Sequence, residues 1–314
     1  MAGLNAYVRR YLWPLPKFRR ELVAMVDGVH KHGGLTDRFR NMLSLYSYCK
    51  GKGIPFKIYY LYPCELEKLL VPAEYDWRIS SRQLSYNALD SKELSLYVQG
   101  APSATEGLGM WMRANNERHL AMLDETFSRG RRQIHEYGNA FFAKGGYKPL
   151  WEELFKPSDY LSGRVDAYRS EIGEDYAAVT FRFQTLLGDL EDTGSEVLPV
   201  DERNLLIDIC ISEIRRLRSE GRLPSGKLLV TSDSSNFIEA VSSEPYVYVV
   251  HGKNEHSDYT GNSDIEVCAK PFIDMFLLMG ASSITQLRTG KMYKSGFPEF
   301  AAEIGGKPYE LIEF

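Results

Sequence analysis

No stretch of this chain is long and apolar enough to cross a bilayer, which takes a helix of about 20 residues. The N-terminus lacks the basic segment, apolar core and small-residue cleavage site of a secretory leader. Cysteine is scarce, with four in 314 residues. Cys49, Cys64, Cys210 and Cys268 lie far apart and form no C-x-x-C pair, which argues against a disulfide framework and against a zinc ribbon. Four reduced, mostly buried thiols in a cytoplasmic protein are expected. Neither sign of charge is in excess: 38 Lys and Arg against 42 Asp and Glu give a net −4. That balance argues against a dedicated nucleic-acid binder. Internal repeats and low-complexity tracts are also lacking.

What is present is alternation. From Tyr176 onward, β-rich apolar runs (Tyr176–Phe183, Lys227–Ser232, Tyr246–His251, Ser283–Leu287, Pro308–Phe314) alternate with helix-like stretches (Asp201–Glu220, Asn236–Ser243, Ile265–Met279, Pro298–Ile304). Short, near-continuously apolar strands separated by helices predict a parallel sheet covered on both faces. The first half repeats the theme, with a strand at Glu21–Asp27, a loop Gly28–Gly34, a helix Leu35–Lys52 and a strand Phe56–Leu61. Helices are also expected at Asn116–Ser128, Lys148–Phe155 and Asp159–Ile172, and a strand at Glu93–Val98. The polar stretch Gly173–Asp175 sets the expected boundary. Residues 1–172 then form an N-terminal α/β domain, and residues 173–314 a C-terminal, Rossmann-like domain. The fold class is α/β, two Rossmann-like domains facing across a cleft in the GT-B manner.

Parallel sheets bind ligands at the carboxyl ends of their strands. The groups there suit a phosphate-bearing, sugar-like ligand. Arg182 ends a central strand, where a cation is a poor core residue. It either grips a diphosphate bidentately and offsets the charge on a departing nucleoside diphosphate, or pairs with Asp189 or Asp192 to fix the loop; its strand position favours the first. Ser232 and Asp233 follow the next strand, and Ser234 or Ser235 caps the helix beyond. Asp274 lies in an apolar helical stretch and needs a partner, either the ring N–H and amino group of guanine or a nearby Lys270 or backbone amide. Ser295, Gly296 and Phe297 open a helix whose amides face phosphate oxygens. In the first half, Gly33 and Gly34 let backbone approach a ligand, and Asp37 or Arg38 is placed to face a reaction centre. His30 and His32 lack a third ligand fixed by sequence, so no metal site is assigned. The acidic run Asp189–Asp192 is read as a loop capping nothing in particular, and His256-Ser257-Asp258 as a polar loop.

Together these residues resemble the GT-B-fold fucosyltransferases, a group that includes the α-1,6-fucosyltransferases, the nodulation enzymes and the protein O-fucosyltransferases. Gly33-Gly34-Leu35-x-x-Arg38-x-Arg40 is similar to the family's first motif, and Thr180-Phe181-Arg182 to its His-x-Arg. Ser232-Asp233, Asp274 and Ser295-Gly296-Phe297 follow in family order. The resemblance implies metal-independent, inverting transfer of fucose from GDP-fucose to a glycan hydroxyl, with no cofactor beyond the donor substrate. It implies that Arg182 holds the β-phosphate and that Asp274 reads guanine. Thr180 stands where the family has His, which removes one nucleotide contact. Asp37, with His32 second, is the candidate general base.

Residues 1–20 carry Arg9, Arg10, Lys17, Arg19 and Arg20 among aromatics and no acid. They are read either as a peripheral contact with the inner membrane face, near lipid-linked glycan acceptors, or as a packed basic arm. Two other functions stay open: a non-catalytic sugar-nucleotide or glycan-binding protein, and a transferase using another nucleotide sugar.

Overall fold

The computed structural model describes residues 20–97, 108–143, 146–190, 192, 196–252 and 264–314. Nearly all of the basic arm, Glu191 and His256-Ser257-Asp258 lie outside the described residues. The chain forms two compact units, one running to Glu65 and resuming over Pro72–Lys156, the other comprising Leu66–Val71 and Pro157–Phe314. The second unit begins earlier in the chain than the 172/173 boundary expected from composition. The helix Asp159–Ile172 buries Leu161, Val165 and Ile172, and Arg169 Nη2 donates to the Phe276 carbonyl at 3.2 Å within the second unit. Packing, not the polar Gly173–Asp175 stretch, decides where this helix belongs.

The first unit contains β1 (Glu21–Val26), α1 (Leu35–Lys52), β2 (Phe56–Tyr60), β3 (Ser91–Leu96), α2 (Leu108–Ser128), β4 (Gln133–Gly138) and α3 (Lys148–Leu154). Its sheet runs β2-β1-β4-β3, with every pair parallel. The helix α1 ends where Gly53 turns left-handed at φ 63° and returns its amide to Cys49 and Lys50, a conformation that glycine adopts without strain. Strand β4, Gln-Ile-His-Glu-Tyr-Gly, was not expected. All six of its residues are buried, but half of them are polar, and polar composition reads as loop. Burial is tolerated because partners are provided: Gln133 Oε1 accepts from the Ser85 amide at 2.7 Å, and Glu136 Oε2 accepts from Asn41 Nδ2 at 2.8 Å.

The second unit contains α4 (Asp159–Ile172), β5 (Ala177–Phe181), α5 (Val200–Ser219), β6 (Leu228–Ser232), α6 (Ser235–Val241), β7 (Val247–Tyr248), α7 (Ile265–Gly280), β8 (Ile284–Arg288), α8 (Phe297–Gly305) and β9 (Tyr309–Glu313). Its all-parallel sheet has the order β9-β8-β5-β6-β7. Strand order therefore reverses between β5 and β8, and the carboxyl ends of those two strands flank the crevice where doubly wound sheets bind ligands. Val179, Phe181, Val230 and Leu287 pack on one face against Cys210 and Ile214 of α5 and Phe237 of α6. Side chains alternate across a sheet, so Thr180, Thr231 and Gln286, which are in register, form a buried polar row on the opposite face. All four cysteines are free and buried. No helix among the described residues is long and apolar enough to cross a membrane.

Candidate functional site

Arg182 follows β5 directly and is held by two acids. Its Nη2 donates to Asp192 Oδ2 at 2.6 Å, and its Nη1 lies 3.3 Å from Asp233 Oδ2. The arginine is 24% exposed, while both carboxylates are nearly fully buried. The loop-fixing ion pair weighed against the phosphate role is thus present, and Asp233 is an additional partner. Asp233 also accepts the amides of Phe183 and Gln184, at 2.8 and 2.7 Å. Burial pushes its carboxyl above the usual range, against the opposing pull of Arg182.

The acidic loop does have a capping role, contrary to expectation. Asp189 Oδ2 accepts from Ser234 Oγ and from the Asn236 amide, both at 2.8 Å, while Ser234 Oγ accepts the Phe237 amide. Asp189 therefore caps α6 together with Ser234, and Asp192 orients Arg182. Ser232 turns its hydroxyl to the Ser234 amide at 3.1 Å. These contacts gather Arg182, Ser232 and Asp233 at neighbouring strand ends.

After β8, Ser295 Oγ accepts the Phe297 amide at 3.2 Å, and Gly296 is the N-cap of α8. The loop is anchored from below by Gln286, which is fully buried on β8. With its amide oxygen toward the Ser295 N–H (2.8 Å), its NH2 donates to the Ser295 carbonyl (3.2 Å) and to Tyr309 Oη (2.7 Å). Nothing in the sequence singled out Gln286; a polar residue inside an apolar strand run was the only available signal. Beside it, Thr180 Oγ1 is buried with no hydrogen bond among the described residues.

On α7, Asp274 pairs with Lys270, its Oδ2 accepting from Nζ at 2.6 Å. Both side chains are buried, and burial raises the Asp274 carboxyl above the usual range, with Lys270 opposing. Of the partners considered for Asp274, the structure supplies the lysine.

In the first unit, the β1–α1 loop carries His32, Gly33, Gly34 and Asp37. Gly33 is left-handed at φ 75°, and a Cβ there would come within 3.4 Å of Asp37 Oδ2. Gly34 is the extended N-cap of α1. Arg38 does not face outward. It is buried, and donates to the Gly33 carbonyl (3.0 Å), Tyr60 Oη (3.0 Å) and the Tyr62 carbonyl (2.8 Å). It therefore ties the glycine loop to the end of β2. His32 is buried too, stacked on Tyr137 with ring centroids 6.2 Å apart and Nε2 3.9 Å from Asp27 Oδ1. Tyr137 in turn donates to Asp27 Oδ2 at 3.1 Å, linking the ends of β1 and β4. Asp37 is half-buried in the first turn of α1.

No family model and no curated protein sequence matches the chain. Solved structures do. The NodZ α-1,6-fucosyltransferase soaked with GDP-fucose aligns over 91% of this chain and 93% of its own, at 16% identity and a TM-score of 0.54. NodZ from Bradyrhizobium aligns similarly, at a TM-score of 0.53, 16% identity and 90% and 92% coverage. A variant of Arabidopsis thaliana FUT1 in complex with GDP covers 99% of this chain and 73% of its own, at 13% identity and a TM-score of 0.55. The apo form of POFUT1 covers 96% and 99%, at 10% identity and a TM-score of 0.55. The chain has the fold of these fucosyltransferases, the GT-B fold of two Rossmann-like α/β units.

Proposed function

We propose that this protein is a glycosyltransferase that moves fucose from GDP-fucose to a glycan hydroxyl, with inversion at the anomeric carbon and without a metal ion. The observation that carries this reading is a coincidence of fold and placement. An alignment spanning 91% of the chain is to a fucosyltransferase structure soaked with GDP-fucose. In this chain, Arg182 and the Ser295–Phe297 turn stand at the two strand ends flanking the reversal of strand order, where such sheets bind nucleotides.

The chemistry follows from those groups. The acceptor oxygen forms a bond to the anomeric carbon as the bond from that carbon to the diphosphate oxygen breaks. The leaving GDP takes the electron pair, and its growing charge is offset by Arg182 and by amides at the amino end of α8. The acceptor proton passes to a carboxylate, for which Asp37 is our assignment. The guanidinium already meets two carboxyl groups, so a diphosphate oxygen has to displace one of them from it. Donor binding therefore exchanges Asp192 for a phosphate oxygen at Nη2. Asp233 stays in place, because the two amides it accepts hold it there. The acceptor is a glycan or lipid-linked glycan, and residues 1–20 are the segment we assign to a membrane surface.

A second reading, binding without turnover, is favoured by one observation: Arg182 already carries two acidic partners. A thermal-shift panel of GDP, UDP, dTDP and their sugars, followed by assays of GDP-fucose hydrolysis and transfer, tests both. A ligand at 100 times its Kd stabilises by about 2.7 kcal/mol. Stabilisation by GDP that Arg182→Ala abolishes, with transfer to some glycan, supports the transferase. Stabilisation without hydrolysis or transfer supports the binding protein. A shift with UDP or dTDP alone overturns the choice of nucleotide, and no shift at all overturns the nucleotide site.

A further inference from the structure

Among the described residues nine large apolar side chains are exposed, and four of them, Val197, Val200, Leu205 and Ile209, crowd the amino half of α5 and the turn before it. One face of α5 is already used: Cys210, Ile211, Ile214 and Leu217 are buried in the core of the second unit. The outer face of such a helix is ordinarily polar, yet Leu205 is 59% exposed and Ile209 41%. Apolar groups scattered singly over a surface need no explanation, whereas a concentrated patch marks an interaction site.

The spacing around Leu205 and Ile209 is regular. Glu202, Leu205, Ile209, Ser212 and Arg216 follow one another at alternating intervals of three and four residues, which places all five on one stripe of the helix. All five are exposed. The stripe is also polarised, with Asp201 and Glu202 in the first turn of α5 and Arg216 and Arg218 in the last. Glu202 and Arg216 stand equally far from Ile209, seven residues to either side. Arg216 pairs with Glu213 and Glu220 of its own helix, but its side chain is half-exposed and remains able to meet a further acid. Beside the amino end, Lys291 pairs with Glu196.

We infer that the outer face of α5 binds α5 of a second copy of this chain, the two helices crossing antiparallel on a two-fold axis at Ile209. The stripe is complementary to itself, as an isologous contact requires. On that axis Ile209 meets Ile209 of the second copy, Leu205 falls beside Ser212, and Glu202 meets Arg216 at both ends. A parallel pairing sets Glu202 against Glu202 and Arg216 against Arg216, and like charges brought together across an interface are penalised. A partner of one charge sign matches only half of the stripe. One helix pair covers less than the roughly 1,200–2,000 Å² of a stable interface, so the dimer is weak and dissociates on dilution through the micromolar range. Nothing in this contact depends on the donor or the acceptor.

Sedimentation velocity of the full-length protein, from about 1 to about 200 µM, tests this. The expected result is a concentration-dependent passage from one chain to two. Ile209→Lys places two ammonium groups on the axis and is expected to raise the dimer Kd at least about a hundredfold. Its thermal melt should match that of the wild type, because the residue is exposed. Ile209→Cys gives a second readout. Under mild oxidation it is expected to form a covalent dimer, since residues on the axis approach their own copies closely enough for a disulfide, and the four native cysteines are buried. Ser219→Cys, also exposed on α5 but about 15 Å along the helix from the axis, is expected to stay uncross-linked. A wild type that remains monomeric at the highest concentration overturns the inference. So does a dimer whose Kd Ile209→Lys leaves unchanged, or equal cross-linking of the two cysteine variants.

Discussion

Asp233 Oδ2 lies 2.7 Å from the amide of Gln184, which has a left-handed φ of 53° and is the only such non-glycine residue among the described residues. A side chain in that region costs on the order of 1 kcal/mol and persists where surrounding contacts impose it. Here the carboxylate imposes it, gripping two consecutive amides while facing Arg182. The chain turns sharply after β5, and this turn carries the arginine at the strand end.

Asp233→Ala removes both acceptors and one counter-charge at once. We expect a loss of about 3 kcal/mol in stability, with GDP binding weakened further. Asp233→Asn keeps one acceptor and loses less. Urea unfolding of the two variants checks the order, and a loss below about 0.5 kcal/mol for alanine would show that the turn forms without the carboxylate.

Arg182→Ala leaves two buried carboxylates without their cation. Burial already raises the Asp233 carboxyl, and Arg182 is the largest influence holding it down. Its removal raises that group further above its unfolded value. A raised folded pKa means stability present at low pH and lost as pH rises. The deficit of the variant relative to wild type is therefore expected to be smallest near pH 4 and to widen toward pH 7, measured by thermal melts across that range. A deficit independent of pH contradicts the assignment.

Glu136 is fully buried in β4 with Oε1 lacking a hydrogen bond among the described residues, and burial pushes its carboxyl up to about 8 despite the Asn41 contact. The folded protein holds this proton where the unfolded chain releases it, above the ordinary value of 4.5. Its contribution to stability is thus complete below that value and is lost as pH climbs to about 8. Glu136→Gln, neutral at every pH and still able to meet Asn41, is expected to remove a pH-dependent loss on the order of a few kcal/mol. Denaturant unfolding of both proteins at pH 5 and 8.5 measures the difference; equal slopes against pH would contradict it.

Gln286→Leu keeps the volume under the Ser295 turn but strands the amide and carbonyl that the glutamine meets. Stability is expected to fall by about 1 to 3 kcal/mol. Under the proposed function this turn faces phosphate and not base, so GDP affinity is expected to drop while the GDP-to-ADP ratio stays as in wild type. A changed ratio in calorimetric titration would place the turn near the base instead.

Much of this architecture was legible in the residues alone. The α/β alternation, the helix at Leu35–Lys52, the Ser234 cap and the candidate partner Lys270 for Asp274 rest on periodicity, capping chemistry and an i,i+4 spacing. Each of these acts over a few residues and is written locally. The resemblance that led to fucosyltransferases needed only the order of short motifs. Strand β4 was not legible, because Gln133 and Glu136 find their partners elsewhere in the fold and His135 is held by Gln133. Nor were the pairing of Arg182 with Asp233, the support of Ser295 by Gln286, or the capture of Arg38 by the Gly33 and Tyr62 carbonyls.

Composition and pattern thus determined most of the strands and helices, β4 excepted, since a segment's own side chains largely choose its backbone. Only the tertiary structure decided which strand ends became neighbours, placing β5 beside β8 and Asp233 beside Arg182. Those adjacencies depend on how whole elements bury their apolar faces against one another, and a buried charge takes whatever partner that packing brings within reach.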